Sequence, residues 1–147
     1  MIDLDDNRLE LAKRFGATAT INSNDGKAVE AVMGLTGGRG VDTAIEAVGI
    51  PATFELRGKI IAPGGTIANI GVHGTKVDLH LETLWDRNIS ITTRLVDSVS
   101  TPMLLKILRS KKIDPTRLIT HHFKLTDILE AYETFAHAAD TCFKSYH

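Results

Sequence analysis

Asp3 is the first residue in this chain whose type and position offer chemistry. Residues 1–4 read as the tail of a strand and residues 6–15 as the helix after it, so Asp3 puts a carboxylate at a strand end just ahead of a helix. In a dinucleotide-binding sheet, an acid there accepts hydrogen bonds from the adenine-ribose hydroxyls and repels the extra phosphate of NADP, favouring NAD. The plainer alternative is an exposed terminal acid beside a helix N-terminus, where negative charge suits the helix dipole. Gly49, Gly71 and Gly74 follow apolar runs, where glycine either lets a ligand approach the backbone or simply makes a turn. The histidines do not assemble a metal site: His121 and His122 are adjacent on an expected strand and point to opposite faces, while His73 and His80 are loop residues without an obvious third ligand. They read as solvated or core-edge side chains. Cys142 is the only cysteine, which rules out an internal disulfide and a four-cysteine zinc site. No nucleophile–base pair stands out.

These positions need elements to hold them. After the helix at 6–15, closed by Gly16, the β-branched alternation of 18–21 predicts a strand. A short helix is expected at 26–35, closed by Gly37-Gly38, then an apolar strand at 41–48 with Glu46 near its end. Pro51 introduces a helix at 52–62, ended by Pro63-Gly64-Gly65. Residues 66–72 form the next apolar run, 81–85 a single helical turn, and 89–95 a strand. A helix at 101–110 follows, with Pro102 in its first turn. A last strand is expected at 119–123, and an amphipathic helix at 126–139 with Ile128, Leu129, Tyr132 and Phe135 on one face. Strands alternate with helices, and the short apolar strands suit burial on both faces, so the expected fold is α/β, a parallel sheet with helices on both faces. One segment is unusual: Leu56-Arg57-Gly58-Lys59-Ile60 places a glycine inside a helix, at a cost of about 1 kcal/mol relative to alanine.

At 147 residues the chain is expected to form one domain. Its hydrophobic content of 43%, charged content of 24% and formal charge of −1 are those of a globular protein without a dominant basic face, which argues against nucleic acid as its main partner. No apolar run reaches the roughly 18 residues of a membrane span. The acidic start, Asp3 to Asp6, is unlike a secretory signal, and the expectation is a cytoplasmic protein.

The segments Ile2-Asp3-Leu4 through Phe15-Gly16-Ala17, Gly37-Gly38-Arg39-Gly40-Val41-Asp42, Glu46-Ala47-Val48-Gly49, Ala62-Pro63-Gly64-Gly65-Thr66, Asn69-Ile70-Gly71-Val72-His73-Gly74, Arg87-Asn88-Ile89 and Leu118-Ile119-Thr120-His121 occur in one order along the chain. Together they resemble the C-terminal, coenzyme-binding portion of the zinc-dependent medium-chain alcohol dehydrogenases. The resemblance implies a Rossmann-like sheet over residues 1–147, with 119–147 as the returning segment. It implies NAD as coenzyme, bound weakly or not at all by this chain alone, with Asp3 on the adenosine ribose and Arg8 beside it. Ala47, Val48 and Gly49 would lie against the adenosine half. Ile70, Gly71 and Val72, with Thr92, Thr93 and Arg94, would lie near the nicotinamide. Lys144 stands where the family has a basic residue near the coenzyme phosphates, although the polar ending Ser145-Tyr146-His147 departs from the expected apolar strand.

The Gly-rich phosphate loop normally precedes the ribose-binding acid by about 20 residues, and no such loop is present here. The glycines of 34–40 follow a helix and precede a strand, the wrong context for a phosphate cradle. The family draws its catalytic zinc ligands from an upstream domain, so neither zinc nor independent activity is expected of this chain. In the strand order expected for such a sheet, the central strand is the one not found here. The gap is expected to close by direct pairing of 1–4 with 41–48 or by another chain, and 89–95 is the expected edge strand. A homo-oligomer through either place is therefore expected. The alternatives to a coenzyme-binding portion are a non-catalytic oligomerisation module or a folding remnant of such an enzyme.

Overall fold

The computed structural model describes residues 1–95 and 97–137, and these fall into two compact units, Met1–Arg94 and the residues from Leu95 onward. In the first unit, strands β1 (Ile2–Asp3), β2 (Ile21–Asn22), β3 (Val41–Glu46), β4 (Ile61–Asn69) and β5 (Ser90–Thr93) alternate with helices α1 (Asp6–Arg14), α2 (Ala28–Leu35), α3 (Pro51–Ile60) and α4 (Leu81–Leu84). Every strand pair is parallel: β1 with β2, and β3–β4–β5 in that order. This is the α/β, Rossmann-like arrangement of parallel sheets flanked by helices.

Local chemistry explains the elements. Asp5 caps α1 by accepting from the backbone N–H of Asn7 at 2.8 Å and of Arg8 at 3.4 Å, and Lys13 and Arg14 sit in the last turn, where positive charge opposes the dipole. Pro51 occupies the first turn of α3, where its missing N–H costs nothing. The core of the three-stranded sheet is Ala44, Ile61, Ile67 and Leu84, with Val41, Phe54 and Ile89 packed on it. Ile61 and Ile67 are fully buried, worth about 1.5–3 kcal/mol each. In β3, Ala44 and Glu46 are buried while Thr43 and Ile45 are exposed, so the α3-covered face takes alternate residues.

Several boundaries differ from the expectations above. The strand after α3 begins at Ile61, immediately after the helix, and runs through Pro63-Gly64-Gly65. Its pairing with β3 shifts between Val41 and Thr43, which accommodates those residues, and Gly64 N–H finds an acceptor in the Arg87 carbonyl at 2.8 Å. The second strand is Ile21–Asn22 rather than 18–21.

Direct pairing of residues 1–4 with 41–48 does not occur. Among the described residues no ladder joins β1 to β3, and the two sheets stay separate. The hydrogen-bond directions show what happens at the β3 edge. Glu46 C=O points toward β4 and accepts from Ile70 N–H at 2.8 Å, so the neighbouring carbonyl of Ile45 points away from β4. That carbonyl accepts instead from Arg57 Nε of α3 at 3.0 Å. A side chain with 9% of its surface exposed thus satisfies an acceptor that a neighbouring strand would otherwise take.

In the second unit, α5 (Thr101–Arg109) is followed by 3-10 turns at Pro115–Leu118 and Leu125–Asp127 and by α6 (Ile128–His137). Residues 119–123, expected as a strand, have no regular structure, and none of the described strands pairs with them. The His121 ring stacks on Phe123 at 6.1 Å between centroids. The expected helix at 126–139 opens as a 3-10 turn and becomes α-helical at Ile128.

Candidate functional site

The carboxyl ends of the parallel strands are where an open α/β sheet binds ligands. Asp3 ends β1 there. Its Oδ1 accepts from Leu4 N–H at 2.8 Å and from Asp5 N–H at 3.0 Å, and Arg8 Nη1 lies 3.5 Å away. Both side chains are about one-fifth exposed, so the carboxylate is held in place but still reachable.

The ends of β3 and β4 meet around Glu46, whose side chain has no exposed surface. Its Oε1 accepts from Val48 N–H at 3.0 Å, Gly49 N–H at 2.9 Å and Thr53 Oγ1 at 2.6 Å. Oε2 accepts from Gly49 N–H at 3.2 Å and faces His73 Nε2 at 3.4 Å. His73 Nε2 also lies 2.8 Å from Asn69 Oδ1. Both neighbours of that nitrogen are acceptors, so the assigned proton belongs on Nε2. Asn69 Nδ2 donates to the Gly71 carbonyl at 3.3 Å, and the His73 ring meets Phe54 edge-on at 5.9 Å. Burial pushes the Glu46 carboxyl up, but the hydroxyl of Thr53, the amides of Gly49 and Val48 and the charge of His73 together hold it below its ordinary value. Burial lowers the pKa of Arg57, and the nearby Glu46 charge opposes that shift.

Two glycines permit this approach. Gly49 has φ +88°, and a Cβ there would overlap the Val72 backbone; a Cβ at Gly71 would overlap the Glu46 carboxylate and Gly49 N. The two loops touch backbone to backbone only because neither residue carries a side chain.

The structure brings Ala47, Val48, Gly49, Ile70, Gly71 and Val72 together at adjoining strand ends. Ala47, Ile70 and Val72 are exposed, Val48 and Gly71 partly so, and Gly49 is buried. Thr92 and Thr93 end β5 and are exposed, and Arg94 N–H reaches the Asn69 carbonyl at 3.4 Å. Asp3 and Arg8 lie at the end of the other sheet. Lys144 lies outside the described residues. Sequence reasoning left Glu46, Asn69, Thr53 and His73 without roles. The available signal was an acid inside an apolar strand, since a buried carboxylate must find donors. His80, by contrast, is a surface residue facing Glu82 at 2.8 Å. Among the described residues no group of three or more His, Cys, Asp or Glu can hold a metal ion, and no helix is long and apolar enough to cross a membrane. A groove of about 380 Å³ lies between α3 and residues 78–87, lined by Phe54, Lys59, Ile67, His80, Leu84 and Arg87 among others, and none of the strand-end residues above borders it.

Comparison with known proteins follows the same lines. A sequence profile described as zinc-binding dehydrogenase matches residues 1–110. An alcohol dehydrogenase of Cupriavidus necator is 37% identical over 147 residues, covering 97% of this chain and 40% of its own length. The NADP-dependent isopropanol dehydrogenase of Thermoanaerobacter brockii is 33% identical, covering 83% of this chain and 36% of its own. Among solved structures, the apo form of zinc-dependent alcohol dehydrogenase 2 from Streptococcus pneumonia superposes with a TM-score of 0.91 at 58% identity, over 96% of this chain and 41% of that one. Alcohol dehydrogenase TADH from Thermus sp. ATN1 superposes with a TM-score of 0.87 at 28% identity, over 92% of this chain and 40% of that one. The chain thus spans about 40% of the length of these relatives. With a parallel α/β sheet and a profile match across most of its length, this chain belongs to the zinc-binding dehydrogenase family and corresponds to the C-terminal, coenzyme-binding portion of its alcohol dehydrogenases.

Proposed function

We propose that this chain is the NAD-binding portion of an alcohol dehydrogenase that transfers hydride between an alcohol and the corresponding aldehyde or ketone. Asp3 carries the assignment. Two backbone amides fix its carboxylate at the carboxyl end of a parallel strand, leaving it ordered and reachable for a ribose diol. A negative charge there disfavours a 2′-phosphate, so the coenzyme is NAD, in contrast to relatives whose names specify NADP. Arg8 steadies the carboxylate from the first turns of α1. Ala47, Val48 and Gly49 border the adenosine half. Ile70, Gly71 and Val72, with Thr92, Thr93 and Arg94, border the nicotinamide, whose C4 exchanges the hydride when the coenzyme is bound. Ile70 and Val72 are exposed at this strand end, where an open α/β sheet meets its ligand. In the family a zinc ion polarises the alcohol oxygen, and the residues named here bear on the coenzyme.

Isothermal titration of the chain with NAD and NADP tests this. NAD should bind more tightly than NADP. Asp3→Ala should weaken NAD binding about tenfold or more, the scale of a lost hydrogen bond to a charged acceptor, and narrow the gap between the two coenzymes. Equal affinities in the parent chain, or no effect of Asp3→Ala, would overturn the assignment.

A further inference from the structure

We propose that Glu46 is a positioning residue that couples the loop at 47–50 to the loop at 70–74, so that the surfaces offered to the two halves of a dinucleotide order as one unit. The coupling rests on the proposed coenzyme reading, but its geometry stands independently.

Glu46 touches both loops by separate routes. Its carboxylate receives the amides of Val48 and Gly49 and the hydroxyl of Thr53, all on the first-loop side. Its Oε2 faces His73 of the second loop. Its own backbone carbonyl accepts from Ile70 N–H at 2.8 Å and Gly71 N–H at 3.1 Å. Asn69 closes the ring by accepting at Oδ1 from His73 and donating to the Gly71 carbonyl. A displacement of the first loop must break hydrogen bonds to a carboxylate without exposed surface, and one of the second must break those to the Glu46 carbonyl and the ion-pair contact of His73 with the same carboxylate. His73 reaches the Val48 and Gly49 amides through Glu46 Oε2, a route separate from the backbone contact between the loops at Gly49 and Val72. An effect of His73 on those amides is what distinguishes coupling from ordinary local support.

The experiment is amide hydrogen exchange on the full chain, comparing the parent with Glu46→Gln, His73→Phe and His73→Gln. Phenylalanine keeps a ring against Phe54 but removes the donor; glutamine restores an N–H. The expected result is that His73→Phe speeds exchange at Val48 and Gly49 about tenfold, His73→Gln largely restores protection, and Glu46→Gln speeds exchange in both loops. Unchanged protection at Val48 and Gly49 in His73→Phe would overturn the coupling, as would a Glu46→Gln effect confined to one loop. A second arm adds AMP as a probe of the adenosine half. AMP should slow exchange at 70–73 in the parent and not in Glu46→Gln. Protection confined to 47–50 in the parent would count against coupling. If the parent shows no response to AMP, the coenzyme reading fails, while the first arm still decides the coupling.

Discussion

At the scale of single residues, Glu46 and Asp3 are two carboxylates solving opposite problems. Asp3 is oriented by adjacent amides yet remains partly exposed, as a ligand acceptor must. Glu46 is sealed from solvent and spends its lone pairs on the protein itself. Its pKa is held low in the fold, so the unfolded chain binds a proton more readily than the folded one. Its contribution to stability is therefore complete above the unfolded carboxyl value, about 4.3, and is lost as pH falls through the folded value. Thermal melts between about pH 6 and pH 3 should show Glu46→Gln less stable than the parent at the upper end, with the difference shrinking toward the lower end. A pH-independent difference would mean that the carboxylate charge is not what the site uses. Gly71→Ala belongs to the same scale. Its added methyl overlaps the carboxylate and a backbone nitrogen, so a loss of roughly 1–3 kcal/mol is expected in denaturant unfolding.

At the scale of elements, α3 serves three tasks from one short helix. Thr53 and Phe54 meet the buried site, Arg57 satisfies the outward carbonyl of β3, and Ile60 joins the buried residues. Gly58 fits none of these tasks. It is absent from the positive-φ residues, and a Cβ there would meet only the Leu84 side chain at 3.8 Å, an ordinary contact. Gly58→Ala should therefore stabilise the chain by about 1 kcal/mol through helix propensity alone, measurable as a shift of the urea midpoint at constant m-value. A destabilised variant would show that the groove beside Gly58 needs the space that glycine leaves.

At the scale of the whole molecule, the three-stranded sheet has two edges with different chemistry. At β3 the outward Ile45 carbonyl is occupied by Arg57. At β5 all four residues are exposed, and because Arg94 N–H faces Asn69, the N–H of Thr93 faces outward. Open strand edges invite pairing, and we propose that self-association uses β5 in preference to β3. Sedimentation velocity should show a concentration-dependent oligomer that Thr93→Pro shifts toward monomer, since proline removes an outward donor without cutting the β4–β5 ladder. A parent chain that stays monomeric at all concentrations would remove this proposal.

The alternation of strands and helices, the parallel α/β class and the family were legible in the sequence because they rest on local periodicity, punctuation by glycine and proline, and ordered motifs such as Glu46-Ala47-Val48-Gly49. Strand ends were also legible to within a few residues, which made Asp3 a candidate, while residues 47–49 and 70–72 became candidates through the family resemblance. Three matters needed the tertiary structure. Glu46, Asn69 and His73 come together only when two parallel strands end side by side, and no spacing along the chain encodes that meeting. Residues 119–123 have strand-like composition but pair with no strand among the described residues, and a strand exists only in a ladder. The part played by Arg57 shows only in the direction of one carbonyl, which its guanidinium satisfies. Periodicity reports which face of an element is buried; only the fold decides what each buried polar group finds there.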